Sequence, residues 1–434
     1  MMDTRSLQQG LVAQLRQNGT LTSAAVAEAF LAVPRHLFLP GEPPERVYED
    51  IAIQVKAGPD GRWTSSSSQP SMMAIMLEQL DLRPGMRVLE IGAGTGYNAA
   101  LMAVLVGPAG SVTAVDIQPD LVEDARAHLR AAGIANAQVA HGDGGFGWPA
   151  GAPYDRVILT AASAVIAPAW REQLAEGGRL VLPLDLGGAQ VSTAFEKRGE
   201  ELVSLSLHGC GFMPLQGGFA TEPAWDEIVP GVNQVCAHAA GHASAALAGW
   251  LADAEDTAVA KDTAGAKDMA VAEKGRAARS GVRIKADDLW AGVNPWLAMR
   301  LPDRMCSLTS DDEALAALPK LLPALRGALT SYPVGERTGR MWLLLPGADG
   351  AALLRRVPGP ETPAGERFEL EVLPLGADRS PASELLDALR AWDSAGRPRV
   401  EQLRIRAVDA GAEASPEPGE QRLPRPWTDL MVRY

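Results

Sequence analysis

Residues Val88 to Ala100, VLEIGAGTGYNAA, place a short apolar strand, an acidic residue and three alternating glycines directly ahead of a helix. No other stretch constrains the chain as much, because it demands a strand-to-helix turn whose backbone comes close to a ligand. Val88, Leu89 and Ile91 suit a buried strand, and Gly92, Gly94 and Gly96 allow a tight turn that any Cβ would obstruct. The spacing is G-x-G-x-G rather than the dinucleotide G-x-G-x-x-G, and Glu90 stands two residues before the first glycine. A carboxylate there repels a pyrophosphate and tolerates a cationic ligand carrying an amino acid group, so S-adenosylmethionine fits better than NAD. Taken alone, the turn also reads as a generic αβ connection.

Two later loops favour the ligand reading. SVTAVDIQPD reads as a second strand ending in Asp116, where an acid accepts hydrogen bonds from ribose hydroxyls in doubly wound sheets. HGDGGFGWP follows a strand over 138–140 and presents Asp143 between Gly142 and Gly144, able to accept from an adenine amino group. The competing readings are a solvated strand-end acid for Asp116 and an Asx-turn for Asp143.

The order of elements predicts an α/β, Rossmann-like doubly wound class I sheet. Helix 70–80, strand 87–91, helix 98–106, strand 112–115, helix 119–132, strand 138–140, strand 156–160, helix 167–174, a turn at 176–178 and strand 179–184 follow in turn. Such alternation places ligand loops at the carboxyl ends of parallel strands. Segments 191–195 and 202–207 read as an antiparallel pair closing the sheet edge.

The blocks VYEDIAI, SSQPSMMAIMLEQLDLRPGMRVLEIGAGTGYNAA, GDGGFGWP, YDRVILTAA, QLAEGGRLVLPL and CGFMPLQG stand in the order found in protein-L-isoaspartate O-methyltransferases, which the chain resembles over about residues 5–218. The resemblance implies S-adenosylmethionine as cofactor and methylation of a side-chain carboxylate. It implies that Glu90, Gly92, Gly94, Asp116, Gly142 and Asp143 hold the cofactor. Ser68 and Asp50 are the implied catalytic residues, with Tyr48, Ser67 and Gln69 on the substrate side and no metal. Two departures fall there: Ser65 to Ser68 form a run where the family has a threonine and an apolar residue before its serine, and the loop over 56–64 is longer and more polar.

The implied reaction asks little proton chemistry of the protein. A carboxylate with a pKa of about 4 is roughly 99.9% ionised at pH 7, so no general base is required. The six histidines are scattered without a metal or triad spacing. What the site must do is position a carboxylate oxygen and exclude water, and Ser68 is expected to orient the substrate without attacking it.

At 434 residues the chain is too long for one such domain, and the expected division is a catalytic domain over 1–220, a helix and Ala-rich charged linker over 221–281, and a smaller α+β domain over 282–434. A net charge of -13 with no basic stripe argues against nucleic acid as a partner. Cys210, Cys236 and Cys306 are far apart and predict neither a disulfide framework nor a zinc site. No signal peptide or long apolar run is visible, so no membrane association and a reduced cytoplasm are expected. A helix is predicted over 232–251, followed by the near-hexads TAVAKD, TAGAKD and MAVAEK, which read as a solvated linker.

The last half carries short apolar segments, one helix over 383–392 and five tryptophans, Trp290, Trp296, Trp342, Trp392 and Trp427, expected mostly in a core. GFMPLQGGFA at the end of the catalytic region, together with DDLWAGVNPWLAMRLPDRMC, RAWDSAGRPRV and the tryptophan-bearing carboxyl terminus, resembles actinobacterial FxLD-system methyltransferases associated with lanthipeptide or graspetide pathways. That resemblance implies a modified precursor peptide as partner and methylation of an ordinary aspartate, with the ester closing to a succinimide. Repair of isoaspartyl proteins is the alternative, and a non-catalytic cofactor-binding scaffold the third reading.

Overall fold

Residues 88–91, 112–116 and 157–159 are buried without interruption, the signature of parallel strands covered on both faces. The computed structural model describes residues 3–58, 63–221, 224–236, 244–254, 277–285, 287–318, 325, 328–334, 337–359, 362, 365–412 and 414–434. The chain divides into two units: residues 1–185, 190–221 and 403–434 form the first, and residues 186–189 and 222–402 the second.

The first unit opens with helices Thr4–Gln17 and Ala24–Ala32, whose amino ends are capped by Asp3 and Ser23. They bury Leu11, Leu15 and Phe30 in the core beside the main sheet. A hairpin of β1 (Ile53–Ala57) and β2 (Trp63–Ser67) follows. The serine run is therefore largely a strand, with Ser65 and Ser67 turned inward. After helix Pro70–Leu80 come β3 (Arg87–Ile91), β4 (Ser111–Asp116), β5 (Ala137–His141), β6 (Tyr154–Leu159), β7 (Leu174–Asp185), β8 (Gln190–Arg198) and β9 (Glu201–Gly209).

Strands β7, β6, β3, β4 and β5 lie side by side in that order with parallel pairing. The chain steps outward from β3 to β5 and then crosses to the other side of β3 for β6, so the topological switch lies between β3 and β6. Helix Pro168–Glu172 is shorter than expected, and the turn predicted at 176–178 is absorbed into β7, where Gly177 takes a positive φ of 69° and the pairing with β6 slips register.

The second unit is an antiparallel sheet. Its strands are β10 (Ala224–Val229), β11 (Val232–Cys236), β12 (Ala278–Ile284), β13 (Cys306–Asp311), β14 (Thr330–Val334), β15 (Arg337–Pro346), β16 (Gly350–Pro358) and β17 (Phe368–Gly376), in the order β10-β11-β13-β15-β16-β17-β12 with β14 on β15. Both faces are covered, which explains apolar runs that do not alternate with polar residues. Leu343, Leu345, Ala352 and Leu354 face one core with helix Ser380–Ser394, and Trp342, Leu344, Ala351 and Leu353 face another with helix Ser244–Asp253.

Three expectations are corrected here. Residues 232–236 are a strand and the helix begins only at Ser244, because the valines at 232 and 235 favour the pleated pairing with β13. Cys236 and Cys306, 70 residues apart in sequence, are direct cross-strand partners and form a disulfide. The hexad repeat over 257–274 lies outside the described residues.

The third correction concerns the carboxyl terminus. The expected domain over 282–434 is divided, since β18 (Arg404–Asp409), β19 (Gln421–Leu423) and β20 (Thr428–Arg433) belong to the first unit. β18 pairs with β9 and extends the first unit's sheet to ten strands, ending β9-β18-β20-β19. The edge expected at β9 is thereby covered. Arg406 ties the addition down, bonding Glu201 and Glu420 at 2.6 and 2.9 Å. Among the described residues no helix is long and apolar enough to cross a membrane.

Ile405, Leu423, Leu430, Met431 and Val432 are all buried. At about 1.5–3 kcal/mol each, their burial is comparable with the whole stability of an ordinary domain, roughly 5–15 kcal/mol. A chain ending at Gln402 is therefore expected to lose the cooperative calorimetric transition of the catalytic unit. An unchanged transition would show the last 32 residues to be an appendage.

Candidate active site

The glycine turn after β3 is held by its neighbours rather than by its own bonds alone. Gly92 N–H donates to the Val115 carbonyl at 2.8 Å, and Thr160 N–H donates to the Ile91 carbonyl at 3.0 Å. Gly92 has φ +95°, and a Cβ there would meet Thr160 Oγ1 at 2.5 Å, the same hydroxyl that donates to the Gly92 carbonyl at 2.7 Å. Gly94 has φ +50° but no clash, a Cβ there making ordinary contact with the Ser66 carbonyl oxygen at 3.6 Å. Helix Tyr97–Val106 begins immediately after Gly96, so its free amide groups face the turn.

Glu90 is fully buried. Asn98 Nδ2 donates to Oε1 at 2.7 Å, while the buried Oε2 has no partner. Burial pushes the carboxyl up to about 8, with the Asn98 bond opposing and the charge of Asp116 adding to the rise. Asp116 receives Gly94 N–H on Oδ2 at 2.9 Å and Gln118 N–H on Oδ1 at 3.0 Å. Each oxygen keeps a lone pair for a ligand. Glu90, Gly92, Gly94 and Asp116 all line one cleft of about 830 Å³, counted with its open mouth.

Gly142 and Asp143 are not among the residues lining that cleft. Asp143 accepts Gly145 N–H at 2.8 Å and Gly218 N–H at 2.7 Å, so its carboxylate spans the turn after β5 and the loop at 217–218. The Asx-type reading of this residue describes its contacts within the chain, and each oxygen keeps a lone pair beside them.

The opposite wall is the substrate side of the sequence reading. Ser67 and Ser68 line the cleft with Thr64, Ser65 and Ser66, whereas Tyr48, Asp50 and Gln69 are not among its lining residues. Asp50 Oδ1 caps the next helix by accepting Ser71 N–H at 2.8 Å, Gln69 Nε2 donates to the Asp50 carbonyl at 3.1 Å, and Tyr48 Oη bonds His36 Nδ1 at 2.8 Å. Asp50 thus holds Ser71 through its carboxylate and Gln69 through its carbonyl.

The residue that joins these pieces is Arg35, which the sequence reading missed. Its guanidinium is buried, donating through Nη1 to the Val47 carbonyl at 3.2 Å and through Nη2 to Ser67 Oγ at 3.2 Å and the Ser68 carbonyl at 3.0 Å. Burial lowers its pKa, while Tyr97, Asp50 and Tyr48 act in the opposite direction. The hairpin is also fastened to the cofactor side. Gln118 Nε2 donates to the Thr64 carbonyl at 3.1 Å, and Lys56 pairs with Asp120 at 2.5 Å. Asn98, Thr160 and the 213–216 segment belong to the sequence blocks given above without a role assigned to them; Arg35 carries no local signal because its partners lie 12 to 33 residues away. Among the described residues no set of three His, Cys, Asp or Glu side chains could hold a metal.

Comparison with known proteins bears on the same unit. The family model described as protein-L-isoaspartate(D-aspartate) O-methyltransferase matches residues 5–220. The protein-L-isoaspartate O-methyltransferase of Ignicoccus hospitalis is 41% identical over 206 residues, covering 47% of this chain and 95% of that protein. That of Methanopyrus kandleri is 40% identical over 215 residues, covering 49% and 92%. Among solved structures, one protein-L-isoaspartate O-methyltransferase aligns at 23% identity and a TM-score of 0.48 over 92% of this chain and 96% of its own. A Plasmodium falciparum structure named for the same activity, in complex with S-adenosyl-L-homocysteine, aligns at 22% identity and a TM-score of 0.43 over 50% and 99%.

Two outcomes follow from this geometry. Gly92→Ala is expected to weaken cofactor binding, by calorimetry, far more than Gly94→Ala, and Thr160→Ala to restore part of the loss because it removes the clashing hydroxyl. Arg35→Lys cannot span both serine-loop acceptors and the Val47 carbonyl, and stranding a buried acceptor costs about 1–3 kcal/mol. Its thermal midpoint should fall by several degrees, with a larger loss in turnover than in cofactor affinity.

Glu90 supplies a third. Its carboxyl stays protonated in the fold up to about pH 8 but ionises near 4.5 when unfolded. The native state therefore holds the extra proton between these values, and stability falls as pH rises through that window. The ligand-free Glu90→Gln variant should show a flatter melting profile over pH 5 to 8 than the parent protein. Parallel profiles would remove the buried neutral carboxyl.

Proposed function

Because this chain belongs to the protein-L-isoaspartate O-methyltransferase family, we propose that it transfers the methyl group of S-adenosylmethionine to the free carboxylate of an isoaspartyl residue in a protein or peptide. The observation that carries this reading is the convergence of the family's cofactor and substrate blocks on one cleft, with Glu90, Gly92, Gly94 and Asp116 on one wall and Ser68 on the other.

The residues fit the cofactor. The unpartnered Glu90 Oε2 suits an ammonium or other N–H donor, the open lone pairs of Asp116 suit a diol, and Gly92 leaves a backbone path that a Cβ would close. S-adenosylmethionine, when bound, supplies a methyl group on a positively charged sulfur. The chain's own task is positional. Arg35 holds the Ser67–Ser68 backbone, Ser68 presents a hydroxyl to orient one carboxylate oxygen, and the β1–β2 hairpin limits water in the cleft where opposite charges neutralise. The acceptor carboxylate is already ionised at neutral pH, so no proton has to be moved before the oxygen–carbon bond forms.

A second reading, methylation of an ordinary aspartate in a ribosomally made, modified peptide, is supported by the resemblance of the carboxyl-terminal half described above. The family match ends at residue 220, so the second unit is the part of this chain for which isoaspartyl methylation has no stated use. On that reading residues 222–402 recognise the precursor peptide.

Mass spectrometry of the purified enzyme with S-adenosylmethionine separates the two. A methyl ester on an isoaspartyl peptide and none on its aspartyl twin supports the first. Esterification of an aspartyl residue only in a cyclised precursor, followed by loss of methanol, supports the second. Ser68→Ala should slow either reaction about tenfold or more without any covalent enzyme adduct, because the residue orients and does not attack. A trapped acyl or methyl group on Ser68 would overturn this mechanism.

A further inference from the structure

Phe146 is 58% exposed and Trp427 46% exposed, and both pack against Phe219 on the first unit. The Phe146 and Phe219 rings meet edge to face at 5.3 Å, and the Phe219 and Trp427 rings lie tilted at 4.8 Å. We propose that these three rings form a shelf that binds an apolar or aromatic side chain of the peptide substrate, a few residues along the chain from the methylated carboxylate. The inference rests on the peptide methylation proposed above and adds a specificity determinant to it.

The shelf is built, not incidental. Trp427 has φ +64°, a left-handed backbone that a bulky side chain adopts only when its surroundings impose it. Here they do: Ala410 N–H donates to the Trp427 carbonyl at 3.1 Å, and the next residue, Thr428, donates its hydroxyl to the Ile166 carbonyl at 2.7 Å. Phe219 is set by the loop that Asp143 pins through Gly218 N–H. A Cβ on Gly145 would strike the Phe219 ring at 2.5 Å, so that glycine is what lets the ring lie against the turn. Pinned aromatic rings offer contact area with little ordering left to lose on binding.

Continuity with the cleft argues for the substrate as occupant. Gly144 lines the cleft and Phe146 stands two residues on; Met213 to Gln216 line it and Phe219 stands three residues on. A carboxylate in the cleft belongs to a chain whose flanking residues lie outside it, and two to four extended residues reach about 7–14 Å. The three rings present apolar faces and edges, on which an apolar or aromatic side chain packs. Trp427 also lies outside the 5–220 family match, delivered to the catalytic unit by the returning strands β18 to β20. This chain thus adds to the catalytic unit a contact that the matched region does not contain.

The test uses the full-length protein and isoaspartyl peptides that differ only in having phenylalanine or alanine two to four residues from the acceptor. The phenylalanine peptides are expected to show a KM about three- to tenfold lower, the range for one aromatic contact. Trp427→Ala should bring the ratio of the two KM values toward one while the cofactor Kd stays in place, and Trp427→Phe should retain part of the ratio. Phe146→Ala should act in the same direction, which keeps the test available should the Trp427 variants misfold. Equal KM values for both peptides in the parent protein, an equal rise for both in the variants, or a Trp427→Ala change in oligomeric state by size exclusion would overturn the shelf and leave the methyltransferase reading standing. Methylation of neither peptide would defeat that reading and the shelf together.

Discussion

One guanidinium holds the substrate wall of this protein together. Arg35 sits where water cannot reach it and divides its donors between the Val47 carbonyl and the Ser67–Ser68 backbone and hydroxyl. Its two Nη groups are bonded while the buried Nε has no partner, so the charge depends on those contacts and ties the amino-terminal segment to the serine strand. The planar fork of arginine matters as much as its charge, since a point donor could not reach three acceptors on two segments. The hairpin, the cap made by Asp50 on Ser71 and the cleft wall all depend on that arrangement.

The facing wall depends on backbone geometry. Gly92 is closed to any side chain by Thr160, and the strand ends around it are stitched by amide-to-carbonyl bonds across the switch point. Into this frame the chain sets Glu90, a carboxyl kept largely neutral by burial and left with one unsatisfied oxygen. A cationic donor beside this carboxyl would favour its ionisation and pair the free oxygen, so the negative charge is present when the ligand is.

The two units solve the burial problem differently. In the first, parallel strands are covered on both faces because the chain alternates strand with helix. In the second, consecutive residues of β15 and β16 face opposite cores, so Trp342 and Leu344 pack on one side and Leu343 and Leu345 on the other. Trp342, Trp392 and Trp296 are core residues, in keeping with the expectation for the tryptophans, while Trp427 and Trp290 are substantially exposed.

The sequence by itself determined the parts whose causes are local: the apolar strand, the glycines that only a left-handed backbone can use, the acid at the end of β4, and the alternation that makes a doubly wound sheet. Its reading of Asp143 did not include the Gly218 contact, because that backbone partner lies 75 residues away. It missed Arg35 because nothing near position 35 announces acceptors at 47 and 67–68. It assigned the last 32 residues to the wrong unit because an extended strand with buried faces looks the same whichever sheet completes its hydrogen bonds. Tertiary structure alone decided those three matters, along with the Cys236–Cys306 pairing, since each is a contact between residues distant in sequence, and periodicity records which side chains are buried but not against what.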